Sequence, residues 1–271
     1  MTTELATTVT SRDGTPIGYW TSGAGPPLVL VHGSTADHTR WRTVLPYLEP
    51  NATVHAVDRR GRGASGDARD YALEREFEDV ATVVDAAAEA ARAPVDLLGH
   101  SFGALCCLGG AALATGLRRL VLYEPAGTSV DDPIPPELIG RLEALLAEDR
   151  REEVLVTFFR EAVQIPEPQL DVLRSLPAWQ GRVAAAHTIA RELRAIESHR
   201  YDPADIAAVT VPTLVLAGGE SPAGVRGICD AVAGALPHGR LAVLEGQQHV
   251  AMDTAPELFG RLVAEFLAQE G

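Results

Sequence analysis

The 271-residue chain is 46% hydrophobic and 22% charged, the balance of a globular protein long enough to bury a large core. Its net charge of −14 argues against nucleic acid and anionic membrane surfaces as partners. Three cysteines give neither a disulfide framework nor metal-ligand spacing, and no apolar run is long enough to span a membrane. Met1 to Thr10 carries no basic, apolar leader, so the expectation is a cytoplasmic protein acting on a small molecule.

The chain opens with an expected hairpin, Thr7 to Thr10 and Ile17 to Trp20 around the turn dipeptide Asp13-Gly14. The continuous apolar run Leu28 to Val31 suits a central parallel strand buried on both faces. His32-Gly33-Ser34 follows directly, with His32 read as packing beneath the loop. A helix is expected from Trp41 to about Leu48. Thr53 to Val57 reads as a strand that ends in Asp58-Arg59-Arg60-Gly61-Arg62-Gly63-Ala64-Ser65-Gly66. That loop lacks both phosphate-binding spacings, so it is read as a structural turn held by Asp58 and the arginines. Leu73 to Ala91 is an amphipathic helix with Phe77, Val80, Val83 and Val84 on one face.

The most informative stretch is Leu97-Leu98-Gly99-His100-Ser101-Phe102-Gly103. A strand from Val95 to Leu98 runs into Gly-x-Ser-x-Gly, and Ala104 to Leu117 reads as a small-residue helix. Strand, sharp turn and helix form the context in which this pattern means a nucleophile elbow, with the serine Oγ exposed on a strained turn. Gly99 and Gly103 leave room where backbones crowd. Leu120 to Tyr123 is a further strand, ending in Glu124-Pro125. The alternation of strands and helices indicates a parallel sheet with right-handed crossovers.

From about Gly127 to Ala208 the rhythm changes. Asp131-Asp132-Pro133-Ile134-Pro135-Pro136 breaks the pattern, and helical stretches follow near 137–148, 151–163, 167–176 and 181–197. Phe158, Phe159, Leu173, Trp179 and Ile189 are candidates for an apolar lining, although helical spacing gives most of them to this segment's own core. Residues 127–208 are expected to form a helical cap over the C-terminal edge of the sheet, with 1–126 and 209–271 as the α/β core. Strands resume at Thr213 to Ala217 and Leu241 to Leu244. His249 lies in the loop after the last strand, and Pro256 to Ala268 is the final helix.

His32-Gly33 after an early strand, the Gly99 to Gly103 motif and His249 after the last strand, in that order, resemble the α/β-hydrolase superfamily over nearly the whole chain. The resemblance implies the α/β-hydrolase fold, a mostly parallel central sheet flanked by helices. It also implies Ser101 as nucleophile, His249 as general base, and the N–H groups of Ser34 and Phe102 as an oxyanion hole. Imidazole suits the base because its pKa lies near neutrality.

The third triad member departs from the family pattern. An Asp usually follows the penultimate strand, three residues after a glycine, but Gly218-Gly219-Glu220-Ser221 puts a serine there. Two carboxylates could fill the gap. Glu124 stands at the end of the strand after the elbow, where groups such as the haloalkane dehalogenases, similar in this segment, carry a catalytic Glu. Glu220 is one residue out of place. A rigid strand end favours Glu124.

These features together imply a cofactor-free serine hydrolase acting on a mid-sized, largely apolar carboxylic ester, lactone or thioester. Acyl transfer, C–C hydrolysis, perhydrolysis or cyclisation would use the same site. A non-catalytic ligand-binding protein on this fold is a further reading, separated from the others by turnover. Monomer and homodimer are both compatible with the sequence.

Overall fold

Apolar strands separated by amphipathic helices assemble into one sheet. The computed structural model describes residues 6–127, 134, 135 and 137–269. Its strands are β1 (Thr7–Thr10), β2 (Pro16–Gly23), β3 (Pro27–Val31), β4 (Thr53–Val57), β5 (Val95–His100), β6 (Leu117–Tyr123), β7 (Thr213–Gly218) and β8 (Gly239–Leu244). They lie in the order β1-β2-β4-β3-β5-β6-β7-β8. β2 runs antiparallel to both of its neighbours, and the other pairings are parallel. This is the α/β-hydrolase fold.

Helices α1 (Leu45–Leu48), α2 (Leu73–Ala91) and α3 (Phe102–Ala111) precede β6. Between β6 and β7 the described residues form only helices: α4 (Leu138–Ala147), α5 (Arg151–Glu161), α6 (Glu167–Ser175), α7 (Trp179–Ala184), α8 (His187–Ser198) and α9 (Pro203–Ala207). Helices α10 (Ala223–Ala235), α11 (Ala251–Thr254) and α12 (Pro256–Leu267) complete the chain. Among the described residues no helix is long and apolar enough to cross a membrane.

The two-sided burial of β3 follows from strand geometry, because successive side chains point to opposite faces. Val29 and Val31 join a core built with α2, α3 and α10, which continues into the inserted helices. Leu28 and Leu30 join a second core with Trp41, α1 and α12.

Three elements differ from the sequence reading. A continuous helix from Trp41 to Leu48 gives way to a 3-10 turn (His38–Trp41) and the single turn α1, because Pro46 has no N–H for the Arg42 carbonyl. Helix α3 stops at Ala111. Asp85 Oδ1 accepts from the main-chain N–H groups of Thr115 (2.8 Å) and Gly116 (2.9 Å), which fixes a turn and frees Leu117 to start β6. The stretch 181–197 is divided between α7 and α8. Most of the expected break at Asp131–Pro136 lies outside the described residues.

Candidate active site

Ser101 stands between β5 and α3, as the cap of α3, with φ 55° and ψ −124°, a conformation that side chains ordinarily avoid. Its N–H donates to the Tyr123 carbonyl at 2.9 Å, and its carbonyl accepts from Ala104 N (2.9 Å) and Leu105 N (3.1 Å). The flanking glycines are sterically required. A Cβ on Gly103 would lie 2.3 Å from the His32 carbonyl oxygen, and one on Gly99 would lie 2.6 Å from the Ala104 Cα. Of the six non-glycine residues with positive φ among the described residues, three (Thr35, Ser101 and Glu124) stand just beyond or at the ends of β3, β5 and β6. Backbone strain is therefore concentrated at one edge of the sheet.

Glu124, 1% exposed, meets His249 at that edge. Its Oε2 accepts from His249 Nδ1 at 2.6 Å. Its Oε1 accepts from the Ser221 hydroxyl at 2.6 Å and from the Gly218 N–H at 2.7 Å. Burial is the largest influence on this carboxyl and pushes its pKa up. The hydrogen bonds from His249, Ser221 and Gly218, with the proximity of the imidazole, outweigh burial and hold it below the ordinary glutamate value. Ser221, the serine at the family's aspartate position, thus serves as a donor to the carboxylate. The Glu220 side chain is exposed and makes no hydrogen bond among the described residues, while its main-chain N–H donates to Gln247 O at 2.9 Å. A proton on His249 Nδ1 directed at Glu124 leaves Nε2 as the basic nitrogen.

The loop carrying His249 is held from beneath by two residues the sequence reading did not single out. His100 donates Nε2–H to the His249 carbonyl at 2.9 Å, and the two rings lie 4.6 Å apart. Burial, then the neighbouring His249, pushes the His100 pKa well below the ordinary value, so this ring stays neutral. The Tyr123 hydroxyl donates to Gln248 O and accepts from Ala251 N at 3.1 Å, gripping the loop on both sides of His249.

The N–H groups of Ser34 and Phe102 donate to no protein acceptor among the described residues, and Phe102 is the first residue of α3. A Cβ on Gly33 would lie 2.9 Å from the Ser101 Cβ, so this loop packs directly on the serine. The Gly33 carbonyl accepts from His32 Nδ1 (2.7 Å) and Arg59 Nη1 (3.2 Å). In a planar trans peptide, holding the carbonyl fixes the opposite direction of the Ser34 N–H. His32 Nε2 accepts from Arg59 N at 3.2 Å, and burial keeps this imidazole neutral, with Arg62 and Arg59 adding to the effect.

Arg59 is itself buried between carboxylates. It donates to Glu76 (2.9 and 3.1 Å) and to Glu192 Oε1 (2.6 Å), with its guanidinium 4.5 Å from the centre of the Phe102 ring. Arg62 donates to the same Glu192 oxygen at 2.6 Å and to Thr188. Glu192 and Thr188 belong to α8, so the inserted helices are tied through buried charge to the loop behind Ser34. A sequence signal existed, because Glu192 shares the apolar stripe of Ile189, Leu193 and Ile196. Asp58, fully buried, holds the start of the arginine-rich loop by accepting from Trp20, His38 and Ala64.

The expected apolar lining is only partly present. Phe158, Phe159, Trp179 and Ile189 pack into the core of the inserted helices, with Phe159 stacked on Trp179 at 6.3 Å. Of the five candidates, only Leu173 lines the cleft of about 360 Å³ that opens between Thr35, Asp253 and helices α6 and α7. Joining short helices consumes the large apolar side chains. Among the described residues no cluster of three or more His, Cys, Asp or Glu side chains is arranged to hold a metal ion.

A sheet of this order, with a strained serine between its fifth strand and the next helix, defines an α/β-hydrolase. The chain belongs to the alpha/beta hydrolase family, whose model matches residues 28–262, and it is an enzyme of that class. It is 33% identical over 210 residues to the 2-hydroxymuconate semialdehyde hydrolase of Pseudomonas sp. strain CF600, covering 73% of this chain and 71% of that protein. A match to the pyrrolizixenacetamide deacetylase of Xenorhabdus hominickii is 40% identical over 109 residues, and spans 39% of this chain and 40% of the relative. Among solved structures, an alpha/beta hydrolase from Sphaerobacter thermophilus is similar at 38% identity with a TM-score of 0.84, over 97% of this chain and all of that one.

Proposed function

We propose that this hydrolase cleaves a carboxylic ester, lactone or thioester through an acyl-enzyme on Ser101, with His249 as general base and Glu124 as the triad acid. The 2.6 Å hydrogen bond from His249 Nδ1 to Glu124 carries this reading, since it leaves Nε2 free for the Ser101 proton. Ser101 Oγ attacks the carbonyl as His249 accepts its proton. The Ser34 and Phe102 N–H groups stabilise the oxyanion, and His249 then protonates the leaving group. Water, deprotonated by His249, releases the acid and regenerates Ser101. Residues 127–208 act in this scheme as a cap that shields the acyl-enzyme.

Similarity to the Pseudomonas 2-hydroxymuconate semialdehyde hydrolase supports a second reading, in which the same site hydrolyses a semialdehyde. Pre-steady-state kinetics with 4-nitrophenyl butyrate test the first. A burst of one nitrophenolate per active site, absent from Ser101→Ala, is expected. Linear release that survives Ser101→Ala would contradict it.

A further inference from the structure

Arg182, on α7, lacks a paired counter-charge. Its Nη1 donates to Thr35 O (3.2 Å) and Thr35 Oγ1 (2.8 Å), both neutral, and its guanidinium lies 6.0 Å from the centre of the Phe159 ring. Among the described residues no carboxylate oxygen lies within 4.0 Å of it, and its Nη2 and Nε groups donate to no protein acceptor. The two neighbouring carboxylates are engaged elsewhere. Asp37 caps the turn at Thr39 (2.9 Å to the main-chain N), and Asp253 pairs with Arg40 at 2.5 Å. Burial, then the adjacent Arg40, lowers the Arg182 pKa to about 10, the direction expected of a desolvated cation short of negative charge.

Arg182 lines the 360 Å³ cleft together with Arg40, Arg42, Thr35, Leu173 and Leu176. Three arginines face two aspartates there, a locally positive site in a chain of net charge −14. Ser101 and His249 do not line the cleft themselves; it reaches the loop that carries Ser34 through Thr35, and the helix that follows His249 through Asp253. A guanidinium with one edge unpaired matches a carboxylate, which it can bind through two parallel hydrogen bonds.

We propose that Arg182 is the recognition site for a carboxylate carried on the acyl part of the substrate, so the preferred substrate is a half-ester or half-thioester of a dicarboxylic acid. This rests on the serine-hydrolase reading of Ser101 and replaces the largely apolar substrate expected from the sequence. Arg182 binds and orients the substrate, with no part in proton transfer.

The test compares 4-nitrophenyl hydrogen glutarate with 4-nitrophenyl valerate, esters of matched chain length. Wild type is expected to prefer the glutarate in kcat/KM. In Arg182→Met this preference should fall at least about tenfold, with KM carrying the loss, and Arg182→Lys should lose less because it retains the charge. An unchanged preference in Arg182→Met would overturn the proposal, as would no preference in wild type. If neither ester is turned over, the hydrolase reading fails separately, and the site is then read by calorimetry with glutarate on Ser101→Ala. Binding that disappears in the Ser101→Ala, Arg182→Met pair supports an anion site, whereas no binding to Ser101→Ala overturns it.

Discussion

Glu124 is a carboxylate buried yet kept ionised, because each oxygen is hydrogen-bonded: Oε2 by His249, Oε1 by Ser221 and Gly218. Glu124→Gln is expected to lower kcat about 10³- to 10⁴-fold with little change in KM, by losing the charge that orients and stabilises the imidazole. Ser221→Ala should cost about tenfold, the scale of one hydrogen bond to a charged group. Glu220→Gln should leave kcat unaltered, and steady-state ester kinetics on the three variants check the set. Ser101 and His249 were singled out from a local motif and chain order, and Glu124 was favoured over Glu220 from its rigid strand end. The donors that hold the Glu124 carboxylate were not legible, since they lie 94 to 125 positions away in the chain. His100 and Tyr123 were hidden for the same reason.

At the scale of elements, helix α8 contributes more than the apolar packing of Ile189, Leu193 and Ile196. Its Glu192 is 1% exposed and shared by Arg59 and Arg62, and Arg59 in turn braces the Gly33 carbonyl behind Ser34. Glu192→Gln leaves two buried cations undercompensated, so urea unfolding should show a loss of about 3–5 kcal/mol. The same variant should bind a trifluoromethyl ketone inhibitor more weakly in proportion to its fall in kcat, because the oxyanion loop loosens with Arg59. Full retention of inhibitor affinity would limit Glu192 to a structural role. The strands were readable from their apolar runs. The end of α3 was not, because Asp85 on a neighbouring helix captures the turn at Thr115 and Gly116.

For the whole molecule, buried ion networks set the response to acid. Asp58, hydrogen-bonded by His38, Ala64 and Trp20, and Glu192, beside Arg59 and Arg62, both fall to about 2 despite burial, and Glu124 is also lowered. A depressed folded-state pKa contributes stability that is present above the ordinary carboxylate values and is lost as pH falls toward about 2. Asp79 and Asp96 are raised by burial and act in the opposite sense. With the lowered groups dominant, Tm should be flat near neutrality and drop steeply between about pH 4 and pH 2. A Tm that holds to pH 2 in calorimetry would show that these networks do not govern stability. The fold was legible at this scale because the order of strand, elbow and histidine spans the chain. The charged side chains that gather at the cleft were not, because they meet where α7 reaches the loop after β3.

In the proposed mechanism His249, itself oriented by Glu124, activates Ser101. Intact-mass spectrometry after exposure to a fluorophosphonate probe checks that activation. One adduct on wild type, absent from Ser101→Ala and His249→Ala and much slower to form on Glu124→Gln, is the predicted result. An unlabelled wild type, or labelling that persists in Ser101→Ala, would contradict it.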